Sequence, residues 1–250
     1  MDDGAIRAEL AKYKFYHVIR VTETISTEGV ADFVPIQATV HAAMAKLDFA
    51  GKRVLDIGCR DGLFAFEAER RGAGDVVGID NCLSLGATEF LIPFFKSKVK
   101  MSEASLYDLA AARLGTFDII IFAGVLYHLR YPFWGLRALS DSLSDGGHVI
   151  VETAVVVDPA QSPILFCPVG QESPYEHSSC TFFNLKGLRD SLRCFGMVVI
   201  DEIPQSPITP DKYGQVARVS LICRKDAGVM ADFPHDYWLG QSHATWQRVE

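Results

Sequence analysis

The sequence has 250 residues, a formal net charge of −7, 49% hydrophobic residues and 22% charged residues. This size and composition fit one globular α/β domain, and the negative charge disfavours nucleic acid as a partner because it offers no general attraction for phosphates. The six cysteines lack metal-ligand spacing, no run reaches the roughly 18 apolar residues of a membrane span, and no signal peptide is evident, so we expect a cytoplasmic protein with free thiols, no metal and no membrane contact.

Apolar runs alternate with segments of helical periodicity along the chain. Helices are predicted to begin near residue 5 and to cover 34–47, 63–71, 83–95, 133–143 and 185–195. Strands are predicted at 53–57, 76–80, 99–104, 117–122, 148–157, 197–203 and 216–223. A long excursion is expected over 158–180. Gly146-Gly147 is expected to end the helix predicted over 133–143. The alternation predicts an α/β fold with a seven-stranded, mostly parallel, Rossmann-like sheet, closed by a hairpin that supplies an antiparallel edge strand.

The turn Asp56-Ile57-Gly58-Cys59-Arg60-Asp61-Gly62 connects the first buried strand to a helix. Gly58 and Gly62 allow a sharp turn and the close approach of a ligand, and Asp61 is predicted to cap the helix. In an open parallel sheet this turn lies at the carboxyl ends of the strands, where ligands bind. Arg60 interrupts any G-x-G-x-x-G pattern, so a nicotinamide-dependent oxidoreductase is disfavoured.

An acid followed by two glycines in such a turn resembles the first motif of class I methyltransferases, which use S-adenosylmethionine. The resemblance implies that the methionine end of this cofactor is held by Asp56, Gly58, Cys59 and Gly62. Asp80 ends the second predicted strand, where a carboxylate can accept hydrogen bonds from both hydroxyls of a ribose. Asn81 is expected to assist it. The alternative role for Asp80 is that of a loop acid or helix cap.

The same resemblance places adenine recognition after the third strand. It assigns a side-chain contact to Ser105 and a main-chain contact to Leu106, with Ser102 and Glu103 as alternatives for the side chain. Ala123, at the end of the fourth strand, is also assigned to the cofactor.

Residues 117–132, which end in Ala-Gly-Val-Leu-Tyr-His-Leu-Arg-Tyr-Pro, are similar to a segment of the methyltransferase-like family that modifies the wobble uridine of tRNA. This family includes the enzyme that carboxymethylates 5-hydroxyuridine from carboxy-S-adenosylmethionine. The similarity continues through 144–153 and includes Phe15-Tyr16-His17. In the tRNA enzyme the segment aligned with Tyr127 and Arg130 helps to hold the additional carboxylate. This chain is acidic and its predicted core begins earlier than that of the tRNA enzyme, which disfavours tRNA as the substrate. Because Arg130 is a lone arginine in this segment, we expect ordinary S-adenosylmethionine.

Five further residues are predicted to surround the transferred group. His128 is either a general base for a hydroxyl acceptor or a main-chain anchor of its loop. Tyr127 is either a wall of the site or a core ring, and Glu152 either faces the acceptor or pairs with a nearby cation. His17 is predicted to contact the substrate as part of a lid, or else to be structural. Arg130 is predicted to contact the substrate, while His128 and Tyr127 are the predicted catalytic residues.

The leading hypothesis is methyl transfer to a small polar acceptor such as a sugar, nucleoside or secondary metabolite, with oxygen favoured over nitrogen. Modification of the tRNA wobble uridine is the second hypothesis, and a non-catalytic binding protein with a methyltransferase fold is the third. The predicted divisions are an N-terminal helical or lid segment (1–48), a methyltransferase domain (49–225) and a C-terminal tail (226–250).

Overall fold

The computed structural model describes residues 1–158, 162–204 and 216–232. Its helices are α1 (Asp3–Leu10), α2 (Val34–Met44), α3 (Leu63–Arg70), α4 (Ile92–Phe95), α5 (Leu109–Ala112), α6 (Pro132–Ser142) and α7 (Leu185–Cys194). Its strands are β1 (Arg53–Ile57), β2 (Asp75–Asp80), β3 (Lys100–Glu103), β4 (Phe117–Ala123), β5 (Leu143–Val156), β6 (Leu165–Phe166), β7 (Phe182–Asn184), β8 (Met197–Pro204) and β9 (Val216–Lys225). The loop 205–215 and the part of the predicted tail at 233–250 lie outside the described residues. In the described ranges no helix is long and apolar enough to cross a membrane.

Within the described ranges the strands form one mixed sheet, in the order β3-β2-β1-β4-β5-β7-β6. The strands β1 to β5 are parallel, whereas β9 runs antiparallel to both β5 and β8, and β6 runs antiparallel to β7. The predicted α/β fold, with a mostly parallel sheet and an antiparallel closing hairpin, is confirmed. The additional strands β6 and β7 were not predicted because two or three residues are too few to show a period.

The strands of the sheet centre are buried on both faces, which is why their sequences are continuously apolar. Along β4, Ile119 and Ile121 pack into the core beneath α2 and α3, while Ile120 and Phe122 pack into the core beneath α6 and α7. In β1, Val54 packs into the core beneath α2 and α3, and Leu55 packs into the core beneath α6 and α7. The two cores fix the sheet rigidly, and therefore fix the positions of the strand ends.

Two predicted boundaries differ from the structure. Gly146-Gly147 does not end a helix, because α6 ends at Ser142 and both glycines lie within β5. A register shift between the pairs Phe117–Leu143 and Ile119–His148 accommodates the extra residues as an irregularity of the strand. The helix expected over 83–95 is instead a π-helical turn (Gly86–Leu91) followed by α4.

The strand order reverses between β1 and β4, which lie side by side although β2 and β3 separate them in the chain. In open α/β sheets such a switch point opens a crevice at the carboxyl ends of the strands. The fold therefore places the ends of β1, β2, β4 and β5 around one crevice.

Candidate active site

A cleft of about 740 Å³ lies at the carboxyl ends of β1, β2, β4 and β5. Its volume falls in the range of roughly 300–1,000 Å³ that is usual for small-molecule sites. The residues predicted from the sequence that line it are His17, Gly58, Asp80, Asn81, Ser105, Leu106, Ala123, Tyr127, His128, Arg130 and Glu152. Parts of the chain far apart in sequence thus meet in one cleft.

Asp80 is buried at the edge of the cleft, and the main chain holds both of its carboxylate oxygens. The Arg60 N–H donates to Oδ2 at 2.9 Å and the Cys82 N–H donates to Oδ1 at 2.7 Å. Arg60 has a left-handed φ of 46°, which directs its N–H towards Asp80, and its guanidinium donates to the Cys82 carbonyl. Since each carboxylate oxygen has more than one lone pair, Asp80 can still accept two hydroxyl donors from the cleft.

Three of the predicted cofactor residues, Asp56, Cys59 and Gly62, do not line the cleft in the described structure. Asp56 is 1% exposed beneath the turn, and burial raises its pKa to about 7, although the Ala65 N–H favours the charged form. Cys59 is also buried, and Gly62 is the left-handed N-cap of α3, where a Cβ would collide with Met101. Their positions suit them to shaping the turn rather than to touching a ligand.

Asp61 does not cap α3, contrary to the prediction. Its carboxylate is fully buried and accepts hydrogen bonds from the N–H groups of Tyr16 at 2.7 Å and His17 at 2.8 Å. Burial opposes its ionisation, but contacts with the His17 ring, whose Nδ1 lies 3.2 Å from Oδ2, and with the His17 N–H outweigh burial and lower the pKa of Asp61. Asp61 thereby attaches the N-terminal segment to the glycine turn, so that Tyr16 and His17 form one wall of the cleft.

Gly29 fixes the same segment from its other side. A Cβ at Gly29 would collide with the main chain of His17, so only glycine allows this approach. Thr27 reinforces the contact, because its hydroxyl donates to the His17 carbonyl at 2.6 Å and accepts from the Ile19 N–H at 2.8 Å.

Ser105 and Leu106, which are predicted to contact adenine, line the same cleft as Asp80. The Ser105 hydroxyl accepts from the Tyr107 N–H at 3.2 Å and so caps a short 3-10 turn. Tyr107 and Tyr131 close this end of the cleft with their rings at an interplanar angle of 71°. The alternatives Ser102 and Glu103 do not line it in the described structure.

Glu152 forms a buried ion pair with Arg218 at the opposite end of the cleft. The contact is bidentate, with Nε to Oε1 at 2.7 Å and Nη2 to Oε2 at 2.5 Å, and the two side chains are 1% and 3% exposed. The guanidinium also donates to the Tyr175 hydroxyl at 3.0 Å and lies 4.6 Å from the centre of the Tyr127 ring. Of the two roles predicted for Glu152, the structure supports pairing with a cation.

Tyr127 is a buried wall of the cleft whose phenol remains protonated, since burial raises its pKa above the usual range. Its main-chain carbonyl accepts the N–H groups of Cys180 and Thr181 and so holds the end of the 158–180 excursion against the site.

His128 has one ring nitrogen held by the main chain. Its Nδ1 lies 3.3 Å from the Ser178 carbonyl, which fixes Nδ1 as the donor and leaves Nε2 with a lone pair. Nε2 is 3.8 Å from Oε2 of Glu176, another cleft residue. The His128 side chain is 35% exposed, and its partial burial lowers its pKa, although the Ser178 and Glu176 contacts act in the opposite direction. The imidazole is therefore neutral near pH 7, and both predicted roles, base and loop anchor, are compatible with this geometry.

Sequence reasoning missed Arg218 and Glu176 as site residues. Arg218 was detectable as a lone basic residue within the apolar run 216–223, spaced by two from Ser220 and so on the same face of the strand. Glu176 gave no such signal, because its position depends on the path of an irregular loop. Arg130 lies at the cleft as predicted, and its side chain is exposed.

A model of the family described as "Methyltransferase domain" matches residues 32–202. The chain belongs to this methyltransferase family. Its relatives include proteins named tRNA U34 carboxymethyltransferase. The protein from Ectopseudomonas mendocina is 38% identical over 148 residues, which cover 56% of this chain and 42% of that protein. The protein from Helicobacter acinonychis is 36% identical over 120 residues, which cover 47% of this chain and 45% of that protein. The matches thus span less than half the length of these relatives.

Solved structures share the fold of this methyltransferase. The N-terminal domain of EvdMO1 with SAH bound has a TM-score of 0.67 at 18% identity, covering 90% of this chain and 98% of that one. The 1,6-didemethyltoxoflavin-N1-methyltransferase of Burkholderia thailandensis has a TM-score of 0.56 at 17% identity, covering 78% of each chain. Family and fold together confirm the predicted class I, S-adenosylmethionine-dependent methyltransferase domain.

Proposed function

We propose that the protein transfers the methyl group of S-adenosylmethionine to a hydroxyl group of a small, polar acceptor. The observation that supports this is the presence, in one cleft, of a carboxylate suited to a ribose and a neutral imidazole suited to a hydroxyl. Asp80 is the carboxylate and His128 the imidazole. The cleft, at about 740 Å³, is large enough for a cofactor together with a small acceptor.

The β2 side of the cleft would hold the cofactor. Asp80 would accept hydrogen bonds from the two ribose hydroxyls. Gly58, which has no side chain, would expose its main chain to the methionine end of the cofactor. When bound, the cofactor supplies an electrophilic methyl group on a positively charged sulfur. The remaining cofactor contacts are assigned to Asn81, Ser105, Leu106 and Ala123.

His128 would accept the proton of the acceptor hydroxyl at Nε2. Its Nδ1–H is already committed to Ser178, so the tautomer needed for this step is the resting one. Glu176, 3.8 Å from Nε2, would stabilise the imidazolium that results. A base of this kind typically contributes about 10²–10⁴-fold to a rate. Tyr127 remains protonated and acts as the wall against which the acceptor is positioned.

The charges at this end favour a neutral acceptor. Arg218 is neutralised by its bidentate contact with Glu152, which leaves Glu176 as a further negative charge beside His128. An acceptor bearing phosphate would meet repulsion from Glu176, and the described residues that line the cleft include no unpaired buried cation to offset it. The same pairing argues for ordinary S-adenosylmethionine over a carboxylated cofactor, because a second carboxylate near Arg218 would compete with Glu152.

Modification of the tRNA wobble uridine is the second candidate, and the relatives favour it. The identity of 38% to a tRNA U34 carboxymethyltransferase is higher than that to any of the structural neighbours described above. The exposed Arg130 and the partly exposed Arg60 at the cleft would then face phosphates of the anticodon loop. Against it stand the net charge of −7 and the short coverage of those relatives.

Mass spectrometry of reaction products separates the two candidates. The protein is incubated with S-adenosylmethionine and either a panel of small hydroxyl compounds or bulk tRNA, and the products are examined for one added methyl group. We expect methylation in the small-molecule arm alone. A modified wobble uridine in the tRNA arm, or a carboxymethyl product when carboxy-S-adenosylmethionine is supplied, would establish the second candidate instead.

A further inference from the structure

Gln37 is a buried amide on the inner face of α2. It is 7% exposed, and its Nε2 has no hydrogen-bond partner among the described residues. Val40 and Met44 follow it on the same buried face of the helix. A buried amide donor without a partner is costly, and native proteins generally satisfy such groups. Gln37 also lines the cleft, so rotation of its side chain would bring the buried Nε2 to a molecule bound there.

The helix that carries Gln37 lies on the acceptor side of the cleft. It packs on β5 and β9, with the Thr39 and Ser220 hydroxyls 2.7 Å apart, whereas the proposed ribose site is on β2. The strands β5 and β9 are those that contribute Glu152 and Arg218 to the cleft. The residues that line the cleft beside Gln37 on this wall, Phe33, Ile36 and Val40, are apolar. Gln37 is therefore the polar group of an apolar wall at the acceptor end.

We infer that Gln37 recognises the acceptor, by donating a hydrogen bond from Nε2 to a second oxygen of the molecule whose hydroxyl His128 deprotonates. This inference rests on the proposed methyl transfer and specifies its substrate class. One oxygen of the acceptor loses its proton and gains the methyl group, and the second oxygen accepts from Gln37. The acceptor is a neutral compound with at least two oxygens, such as a sugar or the ribose of a nucleoside.

The neutrality of the acceptor follows from the groups around Gln37. An amide donates to hydroxyl oxygens without adding charge, and the Glu152–Arg218 pair adds no net charge. Among the described residues, the other arginines that line the cleft are Arg60, whose guanidinium is engaged with Cys82 beside Asp80, and Arg130, whose side chain is exposed. An anionic acceptor would leave its charge without a partner at this end.

The test uses the full chain, S-adenosylmethionine and a panel of defined probes. The neutral probes are D-glucose, D-fucose and uridine, and the anionic ones are glucose 6-phosphate, uridine monophosphate and bulk tRNA. We expect methylation of at least one neutral probe and of none of the anionic ones. For that probe, Gln37→Leu should lower kcat/KM about 2- to 10-fold, mainly through KM, because one neutral hydrogen bond is lost. The affinity for S-adenosylhomocysteine should not change.

Gln171, exposed in the turn Gly170–Glu172, provides the matched control, and Gln171→Leu should leave all of these quantities unchanged. Gln37→Glu retains length but replaces the donor by an acceptor, and should raise KM even if Gln37→Leu folds poorly. The inference is overturned if both Gln37 variants retain the parent KM, or if Gln37→Leu only raises the melting temperature. The proposed substrate class is also overturned if only anionic probes are methylated. It is overturned as well if the protein binds S-adenosylhomocysteine but methylates no probe. Failure to bind S-adenosylhomocysteine would instead refute the proposed function itself.

Discussion

Asp80→Asn tests the assignment of the ribose site. Both oxygens of Asp80 already accept main-chain N–H groups, from Arg60 and Cys82. Asparagine has nearly the same shape, but an NH₂ group replaces one of the two acceptor oxygens. This NH₂ group would face a main-chain N–H, and one ribose hydroxyl would lose its acceptor. Because a hydrogen bond to a charged group contributes about 1.5–3 kcal/mol, we expect binding to weaken by about 3 kcal/mol, or roughly 150-fold in Kd.

Titration calorimetry with S-adenosylhomocysteine measures this loss, and Asp75→Asn is the matched control. Asp75 lies at the opposite end of β2, where it pairs with Arg53 and Lys100 away from the cleft. Thermal unfolding without ligand separates weakened binding from weakened folding. A folded Asp80→Asn variant whose Kd stays within about threefold of the parent would refute the ribose assignment.

Three further predictions concern the rest of the cleft. Arg218→Met leaves its buried carboxylate partner uncompensated, so urea denaturation should show a loss of about 3–5 kcal/mol in unfolding free energy; the same change at Arg137, whose ion pair is exposed, should cost less than about 1 kcal/mol. Gly29→Ala forces a methyl group against the main chain of His17 and should destabilise the protein by about 1–3 kcal/mol in the same assay, and an unchanged midpoint would contradict the packing argument. Because burial lowers the pKa of His128, its neutral form persists below the ordinary value of 6.5, so the acid limb of the pH–rate profile should lie below that value and disappear in His128→Gln; a limb that survives the substitution would exclude His128 as the base.

The fold was largely predictable from the sequence because its signals are local. The apolar runs of β1, β2 and β4 are buried on both faces, so composition alone marks them as strands. The prediction failed where a longer-range contact decided the conformation. Gly146-Gly147 resembles a helix stop, yet pairing of the flanking residues with β4 draws it into β5. No local pattern carries that information.

The candidate site was also predictable in part, where its residues follow from local signals, and not where longer-range contacts decide. Asp80 and Ala123 are the last residues of strands and Asn81 follows one directly, and the topology of a parallel sheet brings all such positions to one edge. Asp61 shows the limit of this reasoning, because its sequence position suits a helix cap while its carboxylate instead binds the N–H groups of Tyr16 and His17, more than 40 positions earlier. The residue types were sufficient to locate the cleft but not to assign every hydrogen bond.

Similarity to other proteins therefore says more about the cofactor end of the cleft than about the acceptor end. The cofactor end is built from consecutive strand tips, all within the matched range 32–202. At the acceptor end, the charge of Glu152 is neutralised by Arg218, which lies beyond that range. A relative can share the whole matched domain and still differ in the residue that neutralises Glu152, and so accept a differently charged substrate. The domain match thus constrains the cofactor strongly and the acceptor weakly, and variation at Arg218, beyond the matched range, is where the charge of the accepted substrate should be decided.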